Sequence, residues 1–168
     1  MMKFSKVTFG TYVKSRGYDM SECTQAELQM MWNDYEDIKL PRRGTSGSAG
    51  YDFFAPVDIL IEKGDYVVFP TGIAFDTDRD DVFLMCVPRS GLGFKYQTQL
   101  ANTVGVIDSD YCKSDNQGHI MVKMTANCDI LIEKGQAFAQ GIIIPFLKVD
   151  DDDTKTERNG GFGSTDNK

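Results

Sequence analysis

The apolar residues of this chain lie in many short runs, each of which ends near Gly, Pro, Asp or Asn. Runs of this kind are typical of strands separated by turns. Many short strands at this spacing predict an all-β sandwich or barrel. The predicted strands are Lys3–Phe9, Tyr51–Phe54, Asp58–Ile61, Tyr66–Ile73, Val82–Val87, Ile120–Met124, Asp129–Ile132 and Ala137–Phe146.

One heptapeptide occurs twice: Asp58–Gly64 and Asp129–Gly135 both read Asp-Ile-Leu-Ile-Glu-Lys-Gly. Each copy predicts a strand, a Glu-Lys-Gly turn and a second strand. Two copies are too few for a solenoid. They predict two similar halves, as in a jelly-roll-like β-barrel, with chance similarity of a common strand-turn pattern as the alternative.

The segment Ser21–Asp37 departs from the β pattern. Thr24 and Glu27 have the spacing of a capping box, and the following apolar residues recur at helical intervals. They predict one short helix at about residues 24–36, inserted between the first strand and the β body. We interpret its Met and Trp residues as a buried face, and binding of a protein partner is the alternative role.

The chain divides at about residue 147. Residues 1–147 are predicted to form one domain, because a chain of this length buries a sufficient core without metals or disulfides. From Lys148 the chain is polar and Gly-rich and includes the acidic run Asp150–Asp153. We expect residues 148–168 to be a flexible acidic linker and a C-terminal motif, in which Phe162 is suited to closing over a ligand.

Composition argues against several classes of protein. No apolar run approaches the ~20 residues that span a bilayer, and the first residues lack a secretory signal, so we expect a cytoplasmic location, in the host if the protein is viral. The four cysteines form no CxxC pair, which favours free thiols. The net charge of −7 makes direct binding to nucleic acid improbable. His119 is the only histidine and is interpreted as a surface or packing residue.

Four segments carry side chains suited to a phosphate ligand. Pro88–Lys95 places Arg89 and Ser90 before glycines, and Arg158–Thr165 repeats this arginine-glycine-hydroxyl composition. Asn102–Tyr111 ends in two acids and a tyrosine; a carboxylate at a strand end can activate water, and a solvated turn is the alternative. A further apolar strand contains Gln136 and Gln140. Together these groups fit a nucleoside phosphate better than a peptide or a sugar polymer.

With Ala49–Ala55, these segments resemble, in order, the five motifs of the trimeric dUTPase family. The resemblance runs from about Gly47 to Thr165, and PRSGLG, GVIDSDY and GGFGST are its specific parts. It implies a homotrimeric dUTP diphosphatase that hydrolyses dUTP to dUMP and pyrophosphate, and thereby limits uracil in DNA and supplies dUMP. It also implies active sites shared between subunits.

The resemblance implies a role for each matched residue. Asp108 would be the catalytic base that activates water, and Tyr111 would lie under the deoxyribose and exclude UTP. Asn102, with main-chain groups of Val106, Ile107 and Met121 along a hairpin, would bind uracil. The phosphates would be held by Arg89, Ser90, Gly91 and Gln140. Phe162 would stack on uracil in a lid whose other contacts come from Arg158, Gly163, Ser164 and Thr165.

The cofactor implied is Mg²⁺, bound mainly through the substrate triphosphate, with Asp52 supporting the ion through water. Three departures from the family pattern stand out. The segment 112–117 is several residues longer than the expected tight turn, the tail ends Ser-Thr-Asp, and Asn159 stands where Gly is common. The helical insertion has no counterpart in the minimal family.

Two other functions compete with this interpretation. A dCTP deaminase of the same fold would need a general acid/base, normally a glutamate, near the cytosine ring, and the segment Gly118–Met124 has none. A dUTPase with a second, regulatory protein-binding role would use the inserted helix or the longer segment 112–117.

Overall fold

The computed structural model describes residues 1–156, 158 and 160, and its regular structure is mostly β. The strands are β1 (Met2–Lys6), β2 (Arg42–Arg43), β3 (Tyr51–Phe54), β4 (Ile59–Ile61), β5 (Tyr66–Pro70), β6 (Ile73–Thr77), β7 (Val82–Pro88), β8 (Gln99–Leu100), β9 (Gly105–Asp108), β10 (Met121–Thr125), β11 (Ile130–Ile132) and β12 (Ala137–Pro145). The helices are α1 (Phe9–Ser15), α2 (Gln25–Glu36) and α3 (Ser90–Tyr96), with a 3₁₀ turn at Tyr111–Lys113.

Among the described residues, all strand pairs are antiparallel and form four sheets. The largest has the order β2-β3-β12-β7-β9, and the others are β5-β10-β8, β1-β6 and β4-β11. The predicted all-β, jelly-roll-like fold is therefore confirmed, although the sheets of the described residues do not join into one closed barrel.

The core lies between the sheets and is rich in phenylalanine. Phe69 of β5 stacks on Phe138 of β12 with ring centroids 4.6 Å apart, which joins two sheets. Phe53, Phe75 and Leu84 are also buried. Their burial provides the apolar area that holds the sheets together.

The two copies of the heptapeptide pair with each other as β4 and β11, with Leu60 opposite Leu131 at the centre. Their contacts are reciprocal. Asp58 accepts a hydrogen bond from the Lys134 amide at 2.6 Å, and Asp129 accepts one from the Lys63 amide at 2.8 Å. The repeat therefore builds a symmetric junction between the two halves of the chain.

The predicted helix at residues 24–36 is confirmed as α2. Its capping box is complete, because the Thr24 amide donates to Glu27 at 2.8 Å and the Glu27 amide donates to the Thr24 hydroxyl at 3.3 Å. Its apolar residues form a buried face only in part. Met31 is buried, whereas Met30 and Trp32 are 63% and 42% exposed.

The predicted first strand, Lys3–Phe9, ends too late. β1 ends at Lys6, and Thr8 caps the short helix α1, which the sequence pattern did not predict. The helices are fixed to the β body because Tyr35 donates to the Val7 carbonyl at 2.6 Å and Lys6 donates to the Tyr35 carbonyl at 2.9 Å.

No helix in the described part of the chain is long and apolar enough to cross a membrane. All four cysteines are free, in agreement with the sequence prediction.

Candidate active site

Asp108 is the last residue of β9, which pairs with β7 so that Asp108 lies opposite Phe83. Because strand pairing ends there, its side chain reaches solvent and is 48% exposed. The chain then turns through Ser109 and Asp110 into the 3₁₀ turn that begins at Tyr111. This short connection brings two carboxylates and an aromatic ring together.

Arg158 contacts both carboxylates. Its Nε donates to Asp110 at 2.9 Å, its Nη2 pairs with Asp108, and its guanidinium lies 5.7 Å from the centre of the Tyr111 ring. Burial opposes the charge on Arg158, but the hydrogen bond that Arg158 donates to Asp110 and the charges of Asp110 and Asp108 raise its pKa above the usual value. We call Asp108, Asp110, Tyr111 and Arg158 the Asp108 cluster.

Tyr111 is only 6% exposed, and its hydroxyl points into the protein. The hydroxyl donates to the His119 carbonyl at 3.2 Å and accepts from the Asn116 side chain at 2.9 Å. Because the hydroxyl end is held inside, the ring presents its face to the cluster.

A second cluster forms at the other end of β7. Arg89 follows that strand, and its Nη1 lies 3.2 Å from Asp52 Oδ2 in β3. Gln140 of β12 lies between its register partners Asp52 and Val87. We call Asp52, Arg89, Ser90 and Gln140 the Arg89 cluster.

The Gln140 side chain packs against the backbone of Gly50, where a Cβ atom would come within 2.3 Å of its amide oxygen. No hydrogen bond to the Gln140 amide is found among the described residues. At the end of β7, an open cavity of about 450 Å³ is lined by Arg89, Ser90 and Phe94, among others. The Arg89 cluster therefore presents a cation and a hydroxyl to this open space.

The two clusters lie far apart within one chain. Asp108 is opposite Phe83 at the start of β7, whereas Arg89 follows its last residue. Six residues of extended strand span about 20 Å. Asp108 and Arg89 of one chain therefore cannot act on the same phosphate group.

The remaining predicted residues lie in several places. Val106 is 57% exposed in β9, Ile107 packs against the core, and Asn102 is exposed in the turn before β9. Gly91 is the second residue of α3, so the predicted Gly-rich loop is partly helical. Met121 begins β10 and lines a cavity of about 390 Å³ with Asn116 and His119.

The expected hairpin between Val106, Ile107 and Met121 is wrong in one respect. β9 pairs with β7, whereas β10 pairs with β5 and β8, so the two strands belong to different sheets. The Ala101 amide donates to the Lys123 carbonyl at 2.9 Å, which places Asn102 beside β10. Phe162, Gly163, Ser164 and Thr165 lie outside the described residues.

Sequence reasoning missed two residues that support Tyr111. Asn116 lies in the longer segment 112–117, for which the only role considered from the sequence was partner binding. His119 is 1% exposed and accepts a hydrogen bond from the Gly72 amide at 2.8 Å, in agreement with a packing role. Burial lowers the pKa of His119 to about 4.

Comparison with known proteins agrees with the motifs. A family model described as dUTPase matches residues 36–166. The deoxyuridine 5'-triphosphate nucleotidohydrolase of Lactococcus lactis is 41% identical over 133 residues, which cover 76% of this chain and 88% of that protein. The chain belongs to the dUTPase family.

Solved structures extend the comparison to the dUTPase fold. The crystal structure of dUTPase from Streptococcus mutans has a TM-score of 0.64 and 30% identity, and the match covers 88% of this chain and 98% of that one. The dUTPase of Staphylococcus aureus phage phi11 shares the fold at 15% identity, with a TM-score of 0.61 over 98% of this chain and 99% of that one. A mutant of that phage dUTPase was solved with a coordinated structural Mg(II) ion.

Proposed function

We propose that this protein is a dUTP diphosphatase that acts as a homotrimer, with each active site built from more than one subunit. The observation that carries the proposal is the separation of two complementary clusters by about 20 Å of β7. One cluster is suited to phosphate and the other to a nucleoside and water. Rotational symmetry brings the Arg89 cluster of one subunit against the Asp108 cluster of its neighbour.

The Arg89 cluster holds the triphosphate. Arg89 is oriented by its contact with Asp52 and offers a guanidinium fork to phosphate oxygens, while Ser90 and the Gly91 amide donate hydrogen bonds. Gln140 donates a further hydrogen bond through its amide. These groups bind the substrate and offset charge that would repel a nucleophile.

The Asp108 cluster holds the nucleoside and the attacking water. Tyr111 lies under the deoxyribose, and Asn102 with the main chain of Val106, Ile107 and Met121 binds the uracil edge. Backbone groups of Val106 and Ile107 are fixed in β9, so a base with mismatched donors leaves buried partners unpaired.

Hydrolysis begins at the α-phosphorus. Asp108 accepts a proton from water as the water oxygen attacks that atom. The bond between the α-phosphorus and the oxygen bridging to the β-phosphorus then breaks, and pyrophosphate leaves. Arg158 forms an ion pair with Asp108 in this structure. The guanidinium must therefore leave Asp108 and bind the terminal phosphate before Asp108 can bind the attacking water.

Magnesium fits this arrangement. Asp52 Oδ2 faces Arg89, while Oδ1 has no hydrogen-bond partner among the described residues and is available to a metal-bound water. Within residues 1–156, 158 and 160 no three potential metal ligands cluster. Mg²⁺ retains several waters and binds well through substrate phosphates, so one supporting carboxylate suffices. When bound, it would offset charge on the phosphate oxygens.

Residues 148–168 are proposed to be the linker and lid. Phe162 would stack on uracil, and Gly163, Ser164 and Thr165 would contact the terminal phosphate with Arg158. The acidic run Asp150–Asp153 keeps the linker solvated. Closure of such a segment would exclude bulk water from the site while the attacking water is retained.

The experiment that tests this function is pyrophosphate release from dUTP, dCTP, dTTP and UTP, measured side by side with Mg²⁺. The Asp108→Asn protein, purified in the same way, controls for contaminating phosphatases. We expect rapid release from dUTP alone. Ammonia release from dCTP, without pyrophosphate from dUTP, would instead establish the deaminase.

A cytoplasmic location and partner binding by α2 stay predictions. The four free thiols agree with a reducing compartment. Met30 and Trp32 are exposed on α2, but no feature of that face selects a partner.

A further inference from the structure

The connection between Tyr111 and Gly118 is the segment that exceeds the expected turn length, and it places one amide side chain behind the tyrosine. Asn116 Nδ2 donates to the Tyr111 hydroxyl at 2.9 Å. Asn116 Oδ1 accepts from the Gly118 amide at 3.1 Å and lies 2.7 Å from the Ser114 hydroxyl. The side chain therefore links the tyrosine to the backbone of its own connection.

The Tyr111 hydroxyl has only one other described partner, the His119 carbonyl at 3.2 Å. That carbonyl belongs to a residue whose ring is fixed by the Gly72 amide at 2.8 Å. One donor and one acceptor therefore hold the phenol from two directions. A phenol held at both contacts cannot swing its ring without breaking a buried hydrogen bond.

The connection itself is anchored on both sides. The Ser114 hydroxyl lies 2.6 Å from the Tyr111 carbonyl, and Ser114 is buried. The Gln117 side chain accepts from the Thr8 amide at 2.8 Å, which ties the connection to the N-terminal cap of α1. Asn116 is thus held by a fixed segment.

We infer that Asn116 is a positioning residue that fixes the Tyr111 ring and thereby sets the preference for deoxyribose over ribose. The inference rests on the proposed function, in which the sugar lies on that ring. A ring held in place leaves no space for a 2′-hydroxyl, whereas a ring freed by loss of the amide donor can retreat from it. Asn116 touches neither the substrate nor the water.

The test compares kcat/KM for dUTP and UTP in four variants. Asn116→Ala removes the donor, Tyr111→Phe removes the hydroxyl but keeps the ring, and the double variant removes both. Asp115→Ala is the control, because Asp115 is exposed in the same connection and has no hydrogen-bond partner among the described residues.

We expect Asn116→Ala and Tyr111→Phe each to narrow the dUTP-to-UTP ratio by about 5-fold to 10-fold, the effect of one buried hydrogen bond. In Asn116→Ala the value of kcat for dUTP should change little, since Asp108 is untouched. The double variant should be no less selective than Tyr111→Phe, because Asn116 acts through the hydroxyl that Tyr111→Phe already lacks. Asp115→Ala should keep the wild-type ratio.

A wild-type ratio in Tyr111→Phe overturns the inference, and does so even if Asn116→Ala fails to fold. The inference is also overturned if Asn116→Ala lowers the dUTP-to-UTP ratio as much in the Tyr111→Phe background as in the wild type. Asn116 would then act through a group other than the Tyr111 hydroxyl. If the wild-type protein prefers dUTP and the variants keep that preference, only this inference is wrong. A wild-type protein that does not hydrolyse dUTP defeats the proposed function itself.

Discussion

Asp108 and Asp110 are two partly exposed carboxylates only two residues apart, and both contact Arg158. They differ in where they stand on the backbone. Asp108 ends the paired strand β9 and is fixed by its register with Phe83, whereas Asp110 lies in the turn itself. A carboxylate on a rigid strand is better placed to orient water than one on a turn.

Replacement of Asp108 by Asn should leave the fold and dUTP binding intact but lower kcat by about three decades or more, because the proton acceptor is lost. Asp110→Asn is the matched control and should reduce kcat far less. Steady-state rates with dUTP, together with nucleotide binding by calorimetry, measure both effects. Near-normal turnover in Asp108→Asn would remove its assigned role.

His119 should make stability depend on pH. Burial lowers its pKa to about 4 in the folded chain, against about 6.5 when unfolded. The contribution of neutral His119 to the free energy of unfolding is fully present above pH 6.5. It is lost as the pH falls toward 4, because only the unfolded state binds the proton in that range. The loss between pH 7 and pH 5 is about 2 kcal/mol.

Urea unfolding at both pH values, at a fixed protein concentration, measures this dependence. His119→Gln is the control, since an amide can accept from the Gly72 amide but does not titrate. The wild-type protein should lose more stability than the variant on acidification. Equal losses would mean that His119 is not held neutral in the fold.

At the scale of elements, the repeated Glu-Lys-Gly turns connect the two halves of the fold. Gly64 and Gly135 both have positive φ, at +82° and +80°. The Gly64 amide donates to the Ala126 carbonyl and the Gly135 amide donates to the Ala55 carbonyl, at 2.9 and 2.8 Å. Each turn thereby fixes its own strand to the opposite half.

Gly64→Ala isolates the backbone conformation of this turn, because a Cβ atom there meets no other atom within 4 Å. We expect it to destabilise the protein by about 1 kcal/mol, the cost of a left-handed residue with a side chain. Gly47→Ala is the control, since Gly47 has neither positive φ nor close neighbours. Thermal unfolding that cannot distinguish the two variants would contradict this account.

Elements with a complete local signal were predicted from the sequence, and those set by distant contacts were not. α2 has a capping box, and its bounds were predicted closely. α1 has only seven residues and depends on packing against Tyr35, so the sequence pattern did not predict it. The positions of β9 and β10 in different sheets follow from their pairing with β7, β5 and β8, which no local pattern encodes.

Contacts between distant residues were also the part of the candidate active site that the sequence did not predict. Asp108, Tyr111 and Arg89 were predicted because their motifs are specific in sequence. The role of Asn116 depends on how the segment 112–117 folds back on Tyr111, and its letters give no sign of that contact. The ion pair between Arg158 and Asp108 likewise joins residues 50 positions apart, so no local pattern predicts it.

At the scale of the whole molecule, one chain carries two separate clusters, which we propose to be half-sites that face different neighbours. The Arg89 cluster lies at one end of β7 and the Asp108 cluster is opposite the other end. The Arg89 cluster has a phosphate-binding arginine but no carboxylate that could activate water. The Asp108 cluster has that carboxylate, but it is paired with Arg158. Activity should therefore be a property of the assembled trimer.

Mixing two inactive variants tests this central claim most directly. Arg89→Ala disables one half-site and Asp108→Asn disables the other, so each homotrimer should be nearly inactive. After unfolding and refolding together in equal amounts, about a quarter of the shared sites should combine two intact halves. The account predicts recovery of about that fraction of wild-type dUTP hydrolysis. No recovery in mixed trimers, verified by differential tagging, would show that one chain builds its site alone and would contradict the account.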